Sequence, residues 1–184
     1  FKDRRSRFAA LKRAGVDTAR ILRTGGTAAM SYGQAVMGVA PSMLLLQRRA
    51  AERSSAPRGG GAGRQLDIAL MLADGSATGK ADPAFAAHAD PIGQWATAVW
   101  ENWLPIPALL RMAAAALKRL AGAKSPWQHC KGPATGFVAT AARLGWTVHD
   151  ALSITTDEGQ PLRLVVDPPV AIMRACDAAV RRWR

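Results

Sequence analysis

A mainly α protein, a bundle-like helical array with one small antiparallel β-hairpin near the C-terminus, is the fold class predicted by three observations. Apolar residues recur at helical spacing through most of the 184 residues. Glycine and proline interrupt that pattern at short intervals, and residues 146–166 alone switch to a period of two. A hydrophobic content of 49% with 21% charged residues belongs to an ordered chain, and the length suits one domain or a small domain with an appendage.

The elements follow in order. Residues 2–13 read as a basic helix anchored by Phe8 and Leu11, with Gly15 near its end. Val16, Ala19, Ile21 and Leu22 continue a short helical pattern to Gly25 and Gly26. Ala28, Ala29, Tyr32, Ala35, Val36 and Val39 share one helical face, and Gly33 within it predicts a close backbone neighbour, because glycine costs a helix about 1 kcal/mol relative to alanine. Pro41 suits the first turn of the next helix, which runs to about Arg53. Residues 54–64, with four glycines, form a flexible linker and the best domain boundary: 1–53 before it, 65–184 after it. A phosphate-cradling loop there would need a Gly-Lys-Ser/Thr sequence after a strand, and has neither.

Leu66 to Ala73 is a short helix stopped by Asp74 and Gly75. Asp90 and Pro91 look like an N-cap and first-turn proline, opening a helix lined by Ile92, Trp95, Val99 and Trp103. Trp95, Trp100 and Trp103 could stack on bases, but helical spacing among apolar neighbours places them in the core. Pro105 and Pro107 open a helix with Leu109, Leu110, Ala113, Leu117 and Leu120 inward, and with Lys118 and Arg119 complementing its C-terminal dipole. Gly132 and Pro133 begin a helix carrying Phe137, Val138, Ala141 and Leu144, capped by Gly145. Trp146, Val148, Leu152 and Ile154 then alternate with polar residues, and after a turn at 157–160 Leu162, Leu164 and Val166 alternate again. Asp167 and Pro168 start a last helix with Met173, Cys176, Val180 and Trp183 on one side.

The formal charge of +12 is unevenly placed: residues 1–25 hold eight basic and two acidic side chains, whereas residues 65–104 hold one basic and five acidic. Such blocks suit a cationic face that meets a polyanion. Arg4, Arg5, Arg7, Lys12, Arg13, Arg20 and Arg23 can contact phosphates without reading sequence, or can serve as a solvated basic face. No apolar run reaches the roughly 20 residues of a membrane span, and no signal-peptide pattern is visible. Two cysteines, Cys130 and Cys176, suit a reduced, intracellular setting better than a disulfide scaffold.

Catalytic chemistry finds little footing. His149 and Asp150 are adjacent strand residues pointing to opposite faces, so they do not complete a triad with Cys176. His129, Cys130, His149 and Cys176 lack zinc-ligand spacing. Asp67, Asp74, Asp82 and Asp90 lie about eight apart at helix ends and in loops, where capping explains Asp74 and Asp90 better than two-metal chemistry does. The expectation is a chain with no catalytic residues, metal site or cofactor of its own.

The run from Thr24 to Val39, with Ala29, Tyr32, Gly33 and Gly38 in the order Ala-x-x-Tyr-Gly-x-x-x-x-Gly, precedes the Leu/Arg helix Met43-Leu44-Leu45-Leu46-Gln47-Arg48-Arg49. It resembles the segment just after the polymerase palm of LINE-type (non-LTR) reverse transcriptases, with Tyr32 and Gly33 as the structural motif. The phrases Asp82-Pro83-Ala84-Phe85, Pro91-Ile92-Gly93-Gln94-Trp95, Lys124-Ser125-Pro126-Trp127 and Gly145-Trp146-Thr147-Val148-His149-Asp150 look like the region between polymerase and ribonuclease H in divergent retroelement proteins of dinoflagellate-type genomes. The Asp-Asp pair that holds metal in those polymerases has no match here. The resemblance implies a non-catalytic thumb and connection fragment of a longer polyprotein, consistent with a start at Phe1. Its partners would be a template–primer duplex and the flanking polymerase and ribonuclease H domains, with no membrane, in an intracellular and nuclear setting. A free-standing basic helical adaptor for nucleic acid or acidic protein, and the functionless product of a decayed element, remain alternatives.

Overall fold

A computed structural model describes residues 5–55, 65–74 and 81–184. The element order is α1 (Arg5–Arg13), α2 (Thr18–Ile21), a π turn (Leu22–Gly26), α3 (Thr27–Ser31), α4 (Gln34–Met37), α5 (Pro41–Ser55), α6 (Leu66–Asp74), α7 (Pro83–Trp100), α8 (Ile106–Leu120), a 3-10 turn (Pro126–His129), α9 (Pro133–Arg143), β1 (Thr147–Val148), β2 (Ser153–Thr155), β3 (Pro161–Arg163) and α10 (Pro169–Trp183). The protein is mainly α with a small antiparallel sheet near the C-terminus. Two compact units emerge, one within Phe1–Tyr32 and Ala40–Ala86, the other Gly33–Val39 with Ala87–Arg184. Beyond Ser55, the predicted linker lies outside the described residues.

In the first unit α5 packs against α1, α2 and α6. Its core gathers Phe8, Leu22, Ala51, Leu70, Ala73 and Ala81, with Met30 and Leu66 against it. Phe8 anchors α1 as its spacing predicts, whereas Leu11 is exposed. Thr24 returns its hydroxyl to the Arg20 carbonyl at 3.0 Å, and the glycines that follow hold a helix weakly. The helix therefore widens to a π turn, with the Thr27 amide reaching back to the Leu22 carbonyl.

The helical face predicted across residues 28–39 is broken at its centre. Tyr32 takes an extended ψ of 126° and Gly33 a φ of 79°, so α3 stops and α4 restarts. Tyr32 is 94% exposed, and a Cβ on Gly33 would meet nothing within 4 Å. Gly33 serves its left-handed turn, a conformation that glycine adopts at no steric cost. The close approach predicted there occurs instead at Gly136 of α9, in the second unit. A Cβ on Gly136 would sit 3.0–3.1 Å from the backbone of Met37, Gly38 and Val36, so any side chain there would have to push α4 a few tenths of an ångström from α9.

The helix predicted to open at Asp90-Pro91 opens eight residues earlier, at Asp82-Pro83. Asp82 Oδ1 accepts the Ala84 amide at 2.9 Å and Pro83 takes the first helical position, so the first of two Asp-Pro pairs is the start signal. Pro91 lies inside α7. A proline there cannot donate to the carbonyl four residues back, that of Ala87. The Arg143 guanidinium fills the gap, with Nη2 3.2 Å from the Ala87 oxygen. Trp95 of α7 stacks on Phe137 of α9 with centroids 5.3 Å apart, and its indole N–H reaches the Ala151 carbonyl at 3.0 Å. Trp95 is core as predicted, but Trp100, the last residue of α7, and Trp103, beyond its end, are exposed.

The predicted hairpin over residues 146–166 is a three-stranded meander in the order β1-β2-β3. Val148 pairs with Ile154, and Ile154 with Leu162. Asp150 Oδ1 accepts the amides of Leu152 and Ser153 at 2.7 and 2.8 Å, and this turn divides what reads as one strand into two. Leu152 falls on the turn and is only half-buried, whereas Trp146, Val148, Ile154, Leu162 and Leu164 are buried; Val166 is exposed. In α10 the inward stripe is Ile172, Cys176, Ala179 and Val180, with Met173 outside.

Candidate nucleic-acid interface

Helical geometry sorts the predicted phosphate contacts. On α1, Lys12 lies four residues after the buried Phe8, on the same face, and is half-buried. Arg7 and Arg13 lie away from Phe8 and are exposed, as is Arg20 on α2. Arg23 has structural work: its Nη1 donates to the Ala73 carbonyl at 2.9 Å, satisfying the C-terminal end of α6. Arg4 lies outside the described residues, and Arg5 begins α1 with its side chain outside them. Tyr32 and Gly33 form the exposed turn between α3 and α4.

Two cations absent from the sequence-derived set join the exposed ones. Arg49 and Arg53 lie four residues apart on α5, both exposed, on a helix that packs against α1 and α2. Their i, i+4 spacing is a readable signal, obscured because the adjoining Arg48 is buried. Arg48 donates Nε to Asp82 Oδ1 at 3.0 Å and Nη2 to Asp82 Oδ2 at 2.9 Å, and Nη2 also meets Asp67. Burial works against the Arg48 charge, but these bonds outweigh it and hold its pKa above the ordinary value. Asp67 and Asp82 thus converge on a guanidinium, and Asp74 accepts the amides of Ala81 and Asp82 at 2.8 and 3.1 Å. Among the described residues no His, Cys, Asp and Glu cluster could hold a metal ion. Nor is any helix of those residues long and apolar enough to cross a membrane.

In the second unit Arg143 is the most connected cation. Its Nε donates to His88 Nε2 at 2.8 Å, Nη1 to the Val39 carbonyl at 2.6 Å and Nη2 to that of Ala87, while Trp127 covers the guanidinium 4.6 Å from the ring centroid. Burial lowers its pKa to about 10, so it stays charged at neutral pH. Cys130 and Cys176 are buried thiols outside any disulfide; burial raises the Cys130 pKa. His149 and Asp150 lie just beyond β1 and not in a strand as predicted, and His149 Nε2 meets the Thr155 hydroxyl of β2 at 2.8 Å.

Comparison with known proteins finds no matching family model, no matching curated protein and no matching solved structure.

Proposed function

We propose that the first unit is a nucleic-acid-contacting helical piece of a larger, retrotransposon-type reverse transcriptase, acting in the manner of a polymerase thumb. The observation that carries this reading is the set of exposed arginines Arg7, Arg13, Arg20, Arg49 and Arg53 on three mutually packed helices, none of them ion-paired among the described residues. Guanidinium groups left to solvent on a rigid helical frame suit phosphates of a duplex that must slide, because phosphate contacts position without reading sequence. The chain would contribute grip and connection, with the chemistry supplied by flanking polymerase and ribonuclease H domains in the nucleus.

A second reading, a basic helical adaptor, draws on a different surface. Ile68, Met71 and Leu72 form an exposed apolar stripe on α6, which suits a protein partner. Fluorescence anisotropy with a random duplex separates the two. The thumb reading expects weak binding whose salt slope falls by about 0.9 per lost phosphate contact when Arg7, Arg13, Arg20, Arg49 and Arg53 become Gln. Equal affinity and slope for wild type and variant would remove it.

A further inference from the structure

A cavity of about 740 Å³ opens between α8, the 3-10 turn and α9. Its walls are almost wholly apolar: Leu117, Leu120, Pro126, Trp127, Val138 and Ala142 among them. Two cations alone break that surface, Lys118 and Arg143. Small-molecule sites typically enclose roughly 300–1,000 Å³ behind apolar walls with a few placed polar groups.

The charge state of Arg143 selects the ligand. Its three hydrogen-bond acceptors are neutral: two carbonyls and an imidazole nitrogen, which as an acceptor carries no proton. No carboxylate among the described residues pairs with it, so a half-buried positive charge, met only by neutral acceptors and the Trp127 ring, stands at the wall of an apolar space. Such a charge is costly unless an anion meets it. Five N–H groups serve a guanidinium, and three are engaged, leaving donors for a further acceptor. Lys118, exposed on α8, adds a second positive charge to the lining.

We propose that this cavity binds a small carboxylic acid with an apolar body, its carboxylate on Arg143 and Lys118 and its hydrocarbon against Trp127, Leu117 and Val138. A monoanion matches one half-buried cation helped by one exposed one, and the planar carboxylate matches the guanidinium fork. A phosphate dianion would bring more charge into an apolar space than it could shed.

Isothermal titration calorimetry of the whole chain with octanoate, 1-octanol and inorganic phosphate tests this. Octanoate should bind one to one and roughly tenfold more tightly than octanol, the measure of a charge-assisted bond. Phosphate should bind more weakly than octanoate. Lys118→Gln, at an exposed site, should weaken octanoate about two- to threefold without altering octanol. Ala142→Trp, at an exposed position of the lining, should reduce both organic ligands at least roughly tenfold while the helical circular dichroism is kept. Arg143→Gln should equalise octanoate and octanol; if it fails to fold, the other two variants still decide. Absent octanoate binding, equal affinity for octanoate and octanol in the wild type, tighter phosphate binding, or indifference to Ala142→Trp each overturns the proposal.

Discussion

Replacing Arg48 by Leu should be among the most damaging single changes in the first unit. Asp82, its principal partner, has no side-chain exposure, so the substitution leaves a carboxylate in the interior without the guanidinium that neutralises it. Breaking a buried pair in this way costs about 3–5 kcal/mol. Two features favour the lower end: Asp82 keeps its bond from the Ala84 amide, and Asp67, with 40% of its side chain exposed, can rehydrate. With a urea m-value of about 1–3 kcal/mol/M, a loss of about 3 kcal/mol moves the unfolding midpoint down by about 1–3 M. Urea titration followed by circular dichroism reads that shift, and amide exchange over α5 and α6 locates it. Asp82→Asn keeps a capping oxygen for Ala84 but removes the charge, so adding it to Arg48→Leu should restore about 2 kcal/mol as a coupling between the sites. A loss under about 1 kcal/mol, or strictly additive single effects, would refute the view that this pair holds α5 to α6 and the start of α7.

Gly136→Val should cost about 1–3 kcal/mol by pushing α4 off α9, while Gly25→Ala, where added carbon meets nothing, should be neutral or stabilising by up to about 1 kcal/mol; thermal unfolding compares the two. Ile154→Asp should unfold the sheet, since its side chain is 1% exposed and paired on both sides, whereas Thr147→Asp on the outer face should cost little; near-ultraviolet circular dichroism reports both. Arg182 bonds to Asp157 at 2.7 and 2.8 Å, and Trp146 at 3.0 Å, hold that carboxyl below its ordinary value of 3.8. The folded chain therefore binds this proton less readily than the unfolded one, and the resulting stability is present above about pH 4 and lost as pH falls through the depressed value. Asp157→Asn should flatten that acid limb in a series of urea titrations, leaving its slope unchanged only if the contact contributes nothing.

Helix existence was legible because amphipathic periodicity is local: α5, α8 and α9 begin at or beside the prolines that mark them, and Phe8, Leu109 and Phe137 are inward as their spacing indicates. Boundaries set by competition were not. Asp82-Pro83 and Asp90-Pro91 carry the same start signal, and the choice rests on Arg143, 52 residues beyond the second proline, reaching a carbonyl that no periodicity reveals. Tyr32 fits a helical face in one dimension, but Gly33 turns the chain so that the ring leaves it. The strand break at Asp150 came from a side chain binding backbone two and three residues on, which alternation of polarity ignores. For the basic surface, composition could not tell Arg23, committed to the Ala73 carbonyl, from the exposed Arg7, Arg13 and Arg20, nor the buried Arg48 from its exposed neighbour Arg49.

The proline within α7 bears on the order in which the second unit forms. Residues 87–91 lack one rung of their own helical ladder, and the missing donor is supplied from α9. A nascent α7 is consequently frayed at its middle until α9 docks, so secondary and tertiary structure mature there in one event. Kinetically, Arg143 and the amides around Pro91 should share a single phase in pulsed hydrogen exchange, later than the uninterrupted α8, whose fifteen residues need no outside donor to close their turns.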